Sequence, residues 1–143
     1  MNLLSNILIS ETITIPNDLG DIVKIVKCGE QQTNNISEVY CSWLISNKIK
    51  AWKKQKIQTM NLFVIIGAIR FVFIDDNDEV MKIDINSNSN RLLTIPPGIW
   101  YGFKCISNNN GLILNSTDVV HNPNLVTRKP VDYFPVSHFN DAL

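Results

Sequence analysis

Histidine is almost missing from this chain. Only His121 and His138 occur among 143 residues, both in the last quarter. A metal site that needs several imidazoles is therefore excluded within one chain. Cysteine is also sparse. Cys28, Cys41 and Cys105 are odd in number, widely spaced and without a Cys-x-x-Cys pair. That pattern predicts reduced thiols in a cytosolic protein and not a disulfide framework. The six glycines are scattered, which leaves no phosphate-cradling loop and no Gly-x-Ser-x-Gly nucleophile elbow. The longest apolar run, residues 62–74, is interrupted by Arg70. It is too short to cross a bilayer, which takes about 20 apolar residues. The first ten residues carry neither a basic leader nor a small-residue cleavage site, so no signal peptide and no membrane partner are expected, and the expected location is the cytoplasm. Charge is low too. Charged residues make up 18% of the chain, against a typical share of about 25%. Thirteen Lys and Arg balance thirteen Asp and Glu, for a formal charge of zero. Nucleic acid is not an expected partner, because that affinity comes mostly from an excess of Lys and Arg on phosphates.

What the chain does contain is strand signal. Val39, Cys41, Trp43 and Ile45 alternate with Glu38, Tyr40, Ser42 and Leu44, a period of two. The same period runs through 49–54 and 80–85, and shorter runs follow at 91–95, 99–104 and 111–117. Gly67 divides the 62–74 run and predicts a break, bulge or tight turn between two strands. Turn residues separate the runs: Asp75–Asp78, Asn86–Asn90, Pro96-Pro97-Gly98 and Ser107–Gly111. No window has a sustained helical period. Roughly ten short strands at this spacing predict an all-β sandwich, jelly roll or barrel in one domain over residues 1–143. From Thr117 the chain turns polar, with Tyr133, Phe134 and Phe139 available to pack that segment back.

Two segments carry candidate chemistry. Lys48 to Lys56 reads Lys-Ile-Lys-Ala-Trp-Lys-Lys-Gln-Lys, the one dense basic run. On a regular strand Lys53 and Gln55 share one face, and Lys50, Trp52, Lys54 and Lys56 share the other. Such a run is either an edge strand protected by lysines or a cationic mouth for a diphosphate or another anion. The second segment, Ile95 to Phe103, places Trp100 and Tyr101 after a rigid corner. Its aromatics either stack on a ligand or pack in the core.

Taken in order, these segments resemble the cupin-fold sugar-nucleotide enzymes, chiefly the dTDP-4-dehydrorhamnose 3,5-epimerases and also the 3,4-ketoisomerases of dTDP-4-keto-6-deoxyhexoses. The resemblance runs from about Ile15 to about Pro130. Asn17 to Asp21 is similar to the epimerases' early Asp-x-Arg-Gly turn. Lys50 to Gln55 is similar to their Arg-Gly-Leu-His-Tyr-Gln strand. Asn61 to Val72 is similar to their Lys-Leu-(apolar)-Gly-(apolar)-Asp strand pair. Ile95 to Phe103 and Leu112 to Asp118 resemble Ile-Pro-x-Gly-x-x-His-Gly-Phe and Val-Leu-Tyr-Lys-x-(Ser/Thr)-Asp. The resemblance implies a cupin jelly-roll β-barrel with a short polar C-terminal segment. It also implies a homodimer that exchanges an edge strand, for which Ile7–Ile15 is the candidate, and a nucleotide-sugar ligand. No cofactor and no metal are expected.

The departures from the family pattern fall on the chemistry. Lys53 stands where the epimerases carry their general-base His, and Gln55 where the ketoisomerases carry a second one. Lys50 replaces the Arg before the base, Asn61 the enolate-stabilising Lys, and Tyr101 the His of His-Gly-Phe. The family's catalytic Tyr falls at about Leu114, beside Asn115. By resemblance, then, Lys53 is the candidate base and Tyr101 the candidate acid. Lys50, Lys54 and Arg70 are candidates for the diphosphate, Trp52 and Trp100 for stacking, and Gln55, Asn61 and Asn115 for further substrate contacts. Proton removal beside a ketone needs a base with a pKa near the working pH. A free Lys titrates at about 10.4, so roughly one molecule in a few thousand is neutral at pH 7. Bringing it to about 7 takes some three units, or about 4 kcal/mol of desolvation and like-charge repulsion. Two functions stay open at this point: an epimerase or ketoisomerase acting on a nucleotide-linked 4-keto-6-deoxyhexose, or a non-catalytic domain that binds a sugar nucleotide or a protein partner.

Overall fold

The structure, a computed structural model, describes residues 2–29 and 35–140. It is built from strands joined by turns and four short 3-10 segments. In chain order the strands are β1 (Leu8–Glu11), β2 (Ile13–Ile15), β3 (Ile22–Lys24), β4 (Glu38–Leu44), β5 (Ile49–Gln55) and β6 (Met60–Ile66). They continue as β7 (Ala68–Ile74), β8 (Val80–Asn86), β9 (Arg91–Ile95), β10 (Trp100–Cys105), β11 (Gly111–Thr117) and β12 (Val126–Arg128).

Two five-stranded sheets face each other, in the orders β1-β9-β6-β11-β4 and β12-β5-β10-β7-β8, and β2 and β3 form a separate ribbon. Every pairing is antiparallel. The expected jelly-roll, cupin-like architecture is present. The expected closed barrel is not, because among the described residues no ladder joins the edges of the two sheets. The chain changes sheet at corners instead. The single residue Gly67 carries it from β6 to β7, with a φ of 84° that an L side chain rarely adopts. A Cβ there would also lie 2.7 Å from the Ser107 hydroxyl.

Alternation decides which face each strand buries. Leu62, Val64, Phe71, Phe73, Leu93, Ile95 and Ile113 point between the sheets and form the main core. The opposite face of the second sheet carries a second cluster of Trp52, Val72, Ile74, Trp100 and Phe139. The C-terminal segment covers this cluster with two 3-10 turns, Val131–Tyr133 and Val136–Phe139. Phe139 is wholly buried there, so the polar tail packs back as its aromatics suggested. At the N-terminus Ile7–Ile15 is not one strand. β1 pairs with β9 of the same chain, and β2 leaves that sheet to pair with β3.

Candidate active site

A cavity of about 310 Å³ opens between the two sheets. The second sheet supplies Lys50, Ala51 and Lys53 from β5 with Tyr101 and Phe103 from β10. The first sheet supplies Tyr40 and Ser42 from β4, Met60 and Leu62 from β6, and Ile113 and Asn115 from β11. Apolar walls with a few convergent polar groups are what a small-molecule site requires.

The strand period alone would send Lys50 and Lys53 to opposite faces. The register between β5 and β10 shows why both reach the cavity. Tyr101 pairs with Lys53, but Phe103 pairs with Lys50, so three steps on β5 match two on β10. This irregularity resets the phase of β5 and turns Lys50 inward. Its Nζ then donates to the Ser42 hydroxyl at 3.1 Å and to the Trp43 carbonyl at 2.7 Å, spanning from one sheet to the other.

Lys53 is half-buried. Desolvation lowers its pKa first, and the positive charges of Arg128 and Lys50 lower it further. Arg128 sits directly opposite Lys53 in the β12–β5 ladder. Two phenols complete the polar set, and each is held by an amide. Gln55 Nε2 donates to the Tyr101 hydroxyl oxygen at 2.9 Å, and Asn115 Nδ2 donates to that of Tyr40 at 2.9 Å. Each oxygen accepts, so each O–H remains free to donate into the cavity. Burial pushes the Tyr101 pKa up to about 12, against a smaller lowering by Gln55. Burial likewise raises that of Tyr40. Both phenols therefore keep their protons at neutral pH. Asn115 Oδ1 is buried, with no hydrogen-bond partner among the described residues.

Of the residues singled out in the sequence, Lys50, Lys53, Tyr101 and Asn115 meet at the cavity, and Gln55 stands behind Tyr101. The other five are placed elsewhere. Trp52 is buried on the opposite face of β5, against Phe134 and Phe139, with its indole N–H on the Val131 carbonyl. Trp100 belongs to the same cluster and takes the Lys54 ammonium over its ring. Lys54 also pairs with Asp76 at 2.7 Å. Arg70 holds Asp84 with two bonds of 2.8 Å and reaches the Phe139 carbonyl. Asn61 turns away from the cavity, accepting from Thr94 and donating to the Ser116 carbonyl. On each of these strands the neighbouring residue faces inward, so alternation sends these side chains out. The same phase decides that Asn115, and not Leu114, faces the cavity.

Sequence reasoning missed Tyr40 and Arg128. Tyr40 was legible as the partner of Ser42 and Leu44 on the inward phase of β4. Arg128 was not, because only the docking of β12 beside β5 brings it near. Among the described residues no group of three or more His, Cys, Asp or Glu comes together as a metal site. No helix among them is long and apolar enough to cross a membrane.

Two facing antiparallel sheets with a ligand-sized cavity between them define a cupin-like protein, and comparison with solved structures narrows the class. A dTDP sugar isomerase from Desulfovibrio desulfuricans is similar at 28% identity and a TM-score of 0.82, over 89% of this chain and 85% of that one. The dTDP-4-dehydrorhamnose 3,5-epimerase of Bacillus anthracis, with TDP and PPi bound, is 17% identical with a TM-score of 0.78, over 90% and 80% of the two chains. The 3,4-ketoisomerase QdtA of Thermoanaerobacterium thermosaccharolyticum, in complex with TDP-4-keto-6-deoxyglucose, is 16% identical with a TM-score of 0.76, over 87% and 88%. No protein-family model and no curated protein matches the chain. The resemblance read in the sequence is borne out by these structural neighbours, and the chain shares their cupin-like fold.

Proposed function

We propose that the chain acts on a nucleotide-linked 4-keto-6-deoxyhexose in deoxysugar biosynthesis. The reaction is a proton transfer at the carbon next to the ketone, of the 3,5-epimerase or 3,4-ketoisomerase type. The observation that carries this reading is the cavity itself. It brings an amine with a lowered pKa and two amide-held phenols onto facing walls that are otherwise mostly apolar. Lys53, uncharged, is the group that engages the reacting centre. Tyr101, its direct neighbour across the β5–β10 ladder, supplies a proton to the ketone oxygen as the enolate forms. Lys50 and Arg128 make the mouth positive and suit it to a diphosphate. The ligands of the structural neighbours support the same class of substrate. A homodimer, as expected from the resemblance, belongs to the same proposal.

The test is hydrogen exchange. The protein is mixed with dTDP-4-keto-6-deoxyglucose in heavy water, and the sugar protons are followed by NMR. Loss of the C3 or C5 signal, abolished by Lys53→Ala, is the expected result. Binding without exchange, seen as shifts or line broadening, would instead support a non-catalytic binding domain. Neither exchange nor binding would refute the ligand class as well.

A further inference from the structure

Among the lysines of β5 and the turn after it, Lys53 alone has no acceptor among the described residues. Lys50 donates to Ser42 and the Trp43 carbonyl, Lys54 to Asp76, and Lys56 to the Asn124 carbonyl. Among the described residues no group accepts from the Lys53 amine, and no residue lining the cavity is acidic. An amine held among cations, without a carboxylate and against apolar walls, meets the conditions for a nucleophilic lysine. A proton donor stands beside it in Tyr101. The wall opposite, with Met60, Leu62 and Ile113, favours a step that releases water.

We propose that Lys53 captures carbonyl ligands covalently, its amine condensing with the ketone of the bound keto sugar to form a Schiff base. This rests on the reading above for its substrate class and deepens it by naming the bond that forms. The Nζ lone pair adds to the carbonyl carbon, and the C=O π pair moves to oxygen, which takes a proton from Tyr101. The adding nitrogen returns a proton to Tyr101. The carbinolamine then loses its hydroxyl group with the second amine proton, as water, and the nitrogen pair forms C=N. Amine and ketone thus give imine and water, with no oxidant or reductant. Protonated, the imine withdraws electrons from the adjacent C–H bond more strongly than the ketone does, so that proton passes to water and returns on either face. Hydrolysis restores the ketone and Lys53.

The experiment is reductive trapping. The full chain is incubated with dTDP-4-keto-6-deoxyglucose and cyanoborohydride, and intact mass and peptide maps are recorded. The expected product is one adduct equal to the ligand's mass less one oxygen, located on Lys53. A lowered pKa raises the uncharged fraction of an amine, so Lys53 should carry more adduct than any other lysine. Lys53→Arg, with its fold checked by circular dichroism, should lose that adduct and keep only the low background of the other lysines. The peptide map of the unaltered protein gives the site even if that variant does not fold. Sugar-proton exchange without an adduct would overturn the Schiff base and leave the proposed reaction standing, with Lys53 as a simple base. Adducts spread evenly over Lys50, Lys53, Lys54 and Lys56 would also overturn it. Neither adduct nor exchange would overturn both.

Discussion

Replacing Gly102 by alanine puts one methyl group between the two strands that carry the cationic wall. An added Cβ would lie 2.7 Å from Ala51 Cβ, 2.7 Å from Phe139 Cζ and 3.3 Å from Trp52 Cζ3. Carbon atoms pack at about 3.5–4.0 Å, so the first two contacts are about 1 Å too short. Phe139 can give, because it is the far end of a side chain on a C-terminal 3-10 turn. Ala51 cannot, because its Cβ is fixed to the backbone of β5. Relief therefore means moving β5 off β10. Overpacking of this kind costs about 1–3 kcal/mol. In a chain near 150 residues, that lowers Tm by about 3–10 °C. The strain also falls on the site, since the pairs Tyr101–Lys53 and Phe103–Lys50 flank Gly102. Urea and thermal denaturation of Gly102→Ala, Ala51→Gly and the double variant measure the effect. The double variant moves the methyl from one strand to the other. It should recover about 1 kcal/mol or more relative to the sum of the single variants, while glycine in a strand keeps a cost of about 0.5–1 kcal/mol. Gly102→Ala at wild-type stability, or strictly additive variants, would refute the packing argument.

Three further outcomes are expected. Exchange activity should rise with pH as Lys53 loses its proton, with the limb lying below the ordinary lysine range because desolvation, Arg128 and Lys50 all lower that pKa. Tyr101, pushed up to about 12, and the raised Tyr40 stay protonated across that window. Arg128→Gln removes one repelling cation, so the limb should move to higher pH, and a pH–rate profile reads the shift; an unmoved limb would sink the account. Tyr101→Phe should slow exchange by about 10²–10⁴-fold if the phenol is the acid. It should also cost about 1–3 kcal/mol of stability, because Gln55 Nε2 is left buried without its partner. Trp52→Ala should cost about 3–5 kcal/mol in a denaturation experiment. The same substitution should leave nucleotide-sugar affinity of the folded fraction intact in titration calorimetry, and a large affinity loss at preserved fold would return Trp52 to the binding site.

Local sequence was enough to determine the strands, the break at Gly67, the turns and the shared face of Lys53 and Gln55. Each of these follows from a period of two or from the backbone freedom of one residue, and neither depends on distant chain. The same logic, continued, also put Lys50 on the wrong face, because a strand's phase holds only while its ladder stays in register. The register of β5 is decided by β10, whose residues lie some fifty positions away in sequence. Likewise, Trp52 has the composition of a stacking residue, and only the return of Phe134 and Phe139 across the second sheet makes it core. Arg70 and Lys54 are candidates for a diphosphate in the sequence, and Asp84 and Asp76 pair with them in the fold. Arg128 becomes part of the site because β12 docks beside β5. Side-chain chemistry was therefore legible residue by residue. Which of those side chains share one cavity was set by strand pairing between distant segments, since cross-strand distance, not sequence distance, governs the fields and contacts that tune Lys53.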